Sequence, residues 1–175
     1  MILVTGGTRS GKSDFALRIG GELSGDHCFV ATCPVLDQEM AERVEKHRRT
    51  REKNIWMTVE EPVAINEVIA RDEYQVYLID CLTLWINNHL AGSTAADKVC
   101  DESFIGAETR CLIRTAGSID ASVIFVTNEV GMGIVPENKL ARRYRDLVGL
   151  CNRLIAAAAN EVVLVSCGLP IYLKQ

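Results

Sequence analysis

The chain has 175 residues, enough for one domain with a sizeable core but cramped for two. Apolar residues make up 48% and charged residues 24%, the balance of an ordinary soluble globular protein rather than a disordered one. A formal net charge of -4 argues against a general nucleic-acid binder, so any basic cluster has to be read locally.

Ile2-Leu3-Val4 is a short apolar run that ends in Gly6-Gly7 and reads as a buried strand. A helix is predicted from Lys12 to about Leu23, with Phe15, Ala16, Ile19 and Leu23 on one face. Cys28 to Thr32 reads as a second strand. Asp37 can cap a following helix over 37–51, which carries a dense run of charge. Residues 56–60 form a short extended piece, and Pro62 suits a helix start with Ile65, Val68 and Ile69 as its apolar stripe. Val76 to Ile79 is a third strand, ending at Asp80. Helices are expected over 82–91 and 98–116, and a fourth strand over Val123 to Val126. A loop over 127–135 leads to Pro136 and to a helix with Leu140, Tyr144, Leu147, Val148, Cys151 and Ile155 at helical spacing. Val162 to Val165 is a fifth strand, and the residues after Gly168 read as a short tail.

Apolar strands alternating with helices predict a single α/β domain over 1–175, with a mostly parallel sheet covered on both faces. The seven cysteines are odd in number and show no C-x-x-C spacing, so neither a disulfide framework nor a zinc site is signalled. A reduced cytoplasmic protein is expected, without a signal peptide and without stable membrane insertion.

Gly6-Gly7-Thr8-Arg9-Ser10-Gly11-Lys12-Ser13 fits G-x-x-x-x-G-K-[ST]. Between a strand and a helix, such a loop aims backbone N–H groups and a helix N-terminus at phosphate oxygens. Lys12 can reach the outer phosphates and the Ser13 hydroxyl can bind Mg²⁺. A chance glycine-rich turn is the bland alternative, and the strand–loop–helix context speaks against it. Asp80, at the end of an apolar strand, suits the acid that organises Mg²⁺, or else a helix cap. Asp80-Cys81-Leu82-Thr83 is not D-x-x-G and Asn138-Lys139-Leu140-Ala141 lacks the final Asp of N-K-x-D, so a GTPase switch is disfavoured.

Within the charged run, Met40, Val44, His47 and Arg51 share one helical face. His47 then faces the body of the protein, as a packing residue or as a nucleophile. A neutral imidazole can attack the α-phosphorus of a nucleotide to form a phosphoramidate, and neighbouring arginines can offset the charge that builds on the oxygens. On spacing alone Arg49 and Lys53 read as solvated helix-surface charge. Glu129 comes after a strand at the edge where sheets of this class bind ligands, as a loop cap or as a site residue. Arg142, Arg143 and Arg145 could meet phosphate, a neighbouring subunit or solvent.

Taken together, the sequence resembles the bifunctional adenosylcobinamide kinase / adenosylcobinamide-phosphate guanylyltransferase family of cobalamin synthesis. The residues that carry the likeness are the opening strand into the phosphate loop, Val30-Ala31-Thr32, Glu39-Met40 with His47 downstream, Trp56-x-Thr58-x-Glu60, Asp80 to Trp85, and Thr127 to Asn138 followed by Leu140 to Arg143. Thr8, Cys33 and Pro34, and the short tail depart from the family pattern. The resemblance implies a RecA-like P-loop NTPase fold and two reactions. A triphosphate, ATP or GTP, phosphorylates adenosylcobinamide; GTP then guanylylates His47, and GMP passes to adenosylcobinamide phosphate. It also implies nucleotide contacts at Gly6, Gly7, Thr8, Arg9, Ser10, Gly11, Lys12, Ser13, Thr32, Cys33, Pro34, Arg48, Arg49, Thr50, Arg51, Glu60 and Asp80. Mg²⁺ is expected on Ser13 and Asp80, and a homo-oligomer is expected, with a trimer as one form. A plain P-loop small-molecule kinase, with His47 as packing, is the nearest alternative; a nucleotide-dependent binding module is a more distant one.

Overall fold

A computed structural model describes residues 1–34, 56–95 and 99–175. Its strands are β1 (Ile2–Gly6), β2 (His27–Ala31), β3 (Trp56–Glu60), β4 (Val76–Asp80), β5 (Ser122–Asn128), β6 (Glu161–Ser166) and β7 (Leu169–Lys174). The helices among the described residues are α1 (Lys12–Gly21), α2 (Ile65–Ala70), α3 (Leu82–Ala95), α4 (Glu102–Ser118) and α5 (Lys139–Ala158). The strands make one sheet in the order β3-β2-β4-β5-β1-β6-β7, parallel except for the terminal β6–β7 pair.

The apolar runs form strands because both of their faces are covered. Successive side chains go to opposite sides, so Leu3, Val30, Tyr77, Ile79 and Phe125 join one core with α2, α3, α4 and α5. Val4, Phe29, Leu78, Ile124 and Val126 join the other with Phe15 and Ala16 of α1. Each large side chain buried in this way contributes about 1.5–3 kcal/mol. The Arg18–Glu22 ion pair is more than half exposed on both sides, and such a pair contributes about 0–1 kcal/mol. Packing of the two sheet faces therefore outweighs surface charge in holding the site together.

Several boundaries differ from the sequence expectation. The helix expected at Pro62 begins at Ile65, because the Glu61 carboxylate accepts from the N–H groups of Val63 (2.9 Å) and Ala64 (2.8 Å) and forms a turn first. The helix expected from 98 begins at Glu102, where the Asp101 side chain accepts from the Phe104 N–H at 2.9 Å and caps it. α3 runs to Ala95 rather than 91, and β5 takes in Thr127 and Asn128, two residues beyond the apolar run that signals it. The tail is not a tail: Leu169–Lys174 pairs antiparallel with β6 through a two-residue turn. In that turn Cys167 (φ 52°) and Gly168 (φ 79°) both have positive φ, the sign pattern of a type I′ hairpin. The expected helix over 37–51, its Asp37 cap, and Met40, Val44, His47, Arg48, Arg49, Thr50, Arg51 and Lys53 lie outside the described residues.

Candidate active site

The parallel strands bring their carboxyl ends to one edge. There the loop from Gly6 to Ser13 leaves β1 and enters α1. Gly11 is the N-cap at φ 89°, in the left-handed region, and the Phe15 N–H donates to its carbonyl at 2.9 Å. No side chain among the described residues caps this helix, so its first N–H groups face the loop and suit an anion. The Lys12 ammonium donates to the Gly7 carbonyl at 3.2 Å, which brings the cation back over the loop. Ser10 is buried, and its Oγ has no hydrogen-bond partner among the described residues. Gly7, Thr8 and Arg9 are exposed and Ser13 is half-buried.

The loop is braced from two sides. On one, the Glu129 N–H donates to the Gly6 carbonyl at 3.1 Å. On the other, the Gly168 N–H of the β6–β7 turn donates to the Ser10 carbonyl at 2.8 Å. No local pattern signals this second brace, since it depends on β7.

Asp80 ends β4, two strands from β1 with β5 between them. Next to it Cys81 is buried. Burial above all, with the Asp80 charge beside it, pushes its thiol pKa up, while Lys12 pulls the other way. The thiol is therefore kept neutral and bonds the Thr83 hydroxyl at 2.8 Å.

Thr32, Cys33 and Pro34 come directly after β2, and Glu60 ends β3. Ala31 is level with Glu60 on one side and with Asp80 on the other, so Glu60 lies two strand spacings, roughly 10 Å, from Asp80. It is exposed. Cys33 and Pro34 are half-buried. Thr32 is fully buried and every polar atom it has meets the protein. Its hydroxyl donates to the Cys81 carbonyl (2.8 Å) and accepts from the Cys81 N–H (2.7 Å). Its amide donates to the Asp80 carbonyl at 3.2 Å, and its own carbonyl accepts from the Asn88 side chain at 2.8 Å. The phosphate-loop residues, Asp80, Thr32 to Pro34 and Glu60 thus share one edge. His47, Arg48, Arg49, Thr50 and Arg51 are outside the described residues, in the connection from β2 to β3.

Sequence reasoning missed the residues that hold this edge in register. Asn88 also donates to the Pro62 carbonyl at 2.9 Å, bridging the segments after β2 and β3. Tyr144 donates to the Thr83 carbonyl at 3.1 Å, and the Asn152 amide to the Asn128 carbonyl at 3.2 Å. An amide on a mostly apolar helix, as at Asn88, was the available signal. Arg142 donates to the carbonyls of Pro136 and Glu137, and Arg143 to that of Cys100, so these two cations pin loops.

A family model described as cobinamide kinase / cobinamide phosphate guanyltransferase matches residues 2–173. Three curated relatives are similar over nearly their whole length. "Bifunctional adenosylcobalamin biosynthesis protein CobU" of Escherichia coli K12 is 44% identical, covering 99% of each chain. The protein of the same description from Salmonella typhimurium LT2 is 40% identical, again over 99% of each. "Bifunctional adenosylcobalamin biosynthesis protein CobP" of Pseudomonas aeruginosa is 36% identical over 98% of this chain and 96% of its own. Among solved structures, an ATPase from a bacterial type III secretion system superposes with a TM-score of 0.59 at 14% identity. That match covers 98% of this chain and 56% of the ATPase chain. At that identity the likeness speaks to fold alone: the chain has an α/β, P-loop NTPase-like fold.

Proposed function

The chain belongs to the cobinamide kinase / cobinamide phosphate guanyltransferase family, and from that premise we propose how its residues share the two reactions. It is a transferase that phosphorylates adenosylcobinamide and then joins GMP to the phosphate, giving adenosylcobinamide-GDP. In our reading the triphosphate of ATP or GTP lies on Gly6, Gly7, Thr8, Arg9, Ser10, Gly11, Lys12 and Ser13. Backbone N–H groups, the α1 dipole and the Lys12 ammonium offset its charge. Ser13 and Asp80 would hold a Mg²⁺ ion, which supplies charge neutralisation of the phosphates when bound. A hydroxyl and a carboxylate fit an ion that takes its remaining ligands from phosphate and water. The aminopropanol hydroxyl attacks the γ-phosphorus, and the diphosphate leaves.

In the second reaction the His47 imidazole attacks the α-phosphorus of GTP. A P–N bond forms, the bond to the bridging oxygen breaks, and pyrophosphate departs. The cobinamide phosphate oxygen then attacks the same phosphorus and the imidazole leaves. Arg48, Arg49, Thr50 and Arg51 hold the phosphate oxygens, with Cys33, Pro34 and Glu60 towards the nucleoside. Thr32, expected as a contact, is fully buried with its hydroxyl, amide and carbonyl all bonded within the protein, so it positions this edge rather than touching the nucleotide. The observation that supports this division is the topology of the sheet edge. The glycine-rich loop, Asp80 and the β2–β3 connection containing His47 all depart from the same carboxyl edge.

We also read 1–175 as one domain that works in the cytoplasm, in keeping with seven free thiols. Among the described residues no helix is long and apolar enough to cross a membrane. A homo-oligomer is supported by the apolar residues that β7 leaves exposed, Leu169, Ile171, Tyr172 and Leu173; a trimer is the form the family resemblance suggests. Product analysis tests the function. With GTP and adenosylcobinamide the wild type should yield the GDP adduct. His47→Ala should stop at adenosylcobinamide phosphate. A His47→Ala protein that still forms the adduct would refute the assignment.

A further inference from the structure

The kinase reaction needs a group to take the proton of the attacking hydroxyl, and none has been assigned. We propose that Glu129 is that group; the inference rests on the kinase reading above. β5 lies between β1, which carries the loop, and β4, which carries Asp80. Asn128 is level with Gly6, and the Glu129 N–H continues the ladder by donating to the Gly6 carbonyl at 3.1 Å. Glu129 is therefore the first residue beyond the sheet on the strand between the loop and the acid, about 5 Å of backbone from each neighbouring strand. The strand end that carries Glu129 thus lies between the phosphate loop and Asp80.

The carboxylate is placed rather than free to wander. Its Oε1 accepts from the Gly131 N–H at 2.6 Å. A Cβ on residue 131 would lie 3.0 Å from that oxygen, so glycine lets the loop close on the acid. Oε2 has no hydrogen bond to the other described residues, which leaves it for a substrate in the proposed step. Among the described residues no Lys or Arg forms an ion pair with Glu129. In the proposed step the substrate oxygen forms its bond to the γ-phosphorus, and the bond from that phosphorus to the β,γ-bridging oxygen breaks. The nucleoside diphosphate leaves with that electron pair, and the hydroxyl proton passes to Glu129 Oε2. A carboxylate that only closed its own loop would be replaceable by an amide, because an amide oxygen also accepts from an N–H.

The two reactions can be assayed separately in the full chain: phosphorylation of cobinamide with ATP, and GMP transfer from GTP to cobinamide phosphate supplied ready-made. Glu129→Gln should lower kcat for phosphorylation about 100-fold or more, with the KM for ATP and the rate of GMP transfer within about threefold of wild type. Glu129→Asp should recover part of the loss. Phosphorylation by Glu129→Gln within about threefold of wild type would overturn the proposal, as would an equal loss in both reactions, which would mark a merely structural brace. Gly131→Ala gives a second reading that keeps the carboxylate: crowding Oε1 should lower phosphorylation alone, and unchanged phosphorylation counts against the role. A wild-type chain that phosphorylates no cobinamide would instead refute the kinase reading, before any variant is compared.

Discussion

At the end of β2 one hydroxyl holds two groups of Cys81, the amide and the carbonyl, and so ties β2 to the residue after Asp80. Thr32→Val keeps the shape and leaves the Cys81 N–H in the interior without that acceptor. The expected cost is about 1–3 kcal/mol, read as a lower denaturant midpoint; an unchanged midpoint would show that the clamp is dispensable. Lys12→Ala should weaken both reactions, because its ammonium is the cation held over the loop. A variant with wild-type KM for the triphosphate would contradict the loop assignment. His89 belongs to stability instead. Burial lowers its pKa from 6.5, Glu108 partly opposing, and its ring stacks edge-on against Trp85 and Phe104. The folded chain favours the neutral ring while the unfolded chain binds the proton more readily. This contribution is complete above about pH 6.5 and is lost as pH falls from there through the folded pKa. The Tm of His89→Phe, relative to wild type, should therefore rise as pH is lowered from about 7.5 to about 5. A pH-independent difference would remove His89 from the acid response.

Among the elements, the β6–β7 hairpin has the least obvious role. Its turn holds the Ser10 carbonyl, and a Cβ on Gly11 would lie 3.3 Å from the Gly168 Cα. Gly11→Ala should cost about 1–2 kcal/mol, because φ is 89° there and the L side chain is strained in that region. It should also raise the KM for the triphosphate; normal stability and KM would mean that the loop tolerates the change. This hairpin also marks where pattern reading runs out. The central strands are legible because a two-sided sheet demands apolar runs, as in residues 76–79 of β4 and 123–126 of β5. β7 mixes Pro170 with residues left largely exposed, and resembles a tail. Pro170 is tolerated because β7 is an edge strand, where a missing N–H interrupts no further ladder. Helix starts moved for a related reason. Glu61 and Asp101 capture backbone N–H groups through their side chains, and local carboxylates set boundaries that apolar periodicity cannot see.

Over the whole molecule, strand order is what makes a site out of scattered motifs. In sequence, Gly6, Asp80 and Glu129 are far apart; the order β4-β5-β1 makes them neighbours at one edge. The glycine-rich loop and Asp80 are legible in the sequence because each is a local pattern at a strand end. The clamps of Thr32, Asn88, Tyr144 and Asn152 are not, because each joins segments that meet only after the sheet has formed. The apolar edge of β7 predicts assembly: in solution the particle should be a multiple of the 19.3 kDa chain, and Ile171→Lys should shift it towards smaller species. A wild-type mass of 19.3 kDa by light scattering would exclude that. The central claim, that His47 carries GMP between GTP and the corrinoid, has the most direct test. The chain is incubated with GTP labelled at the α-phosphorus, digested, and the labelled peptide mapped. The account predicts an acid-labile, base-stable label on His47 that is absent from His47→Ala while that variant still phosphorylates cobinamide. A wild-type protein that takes up no label, or a His47→Ala protein labelled to the same extent, would contradict it.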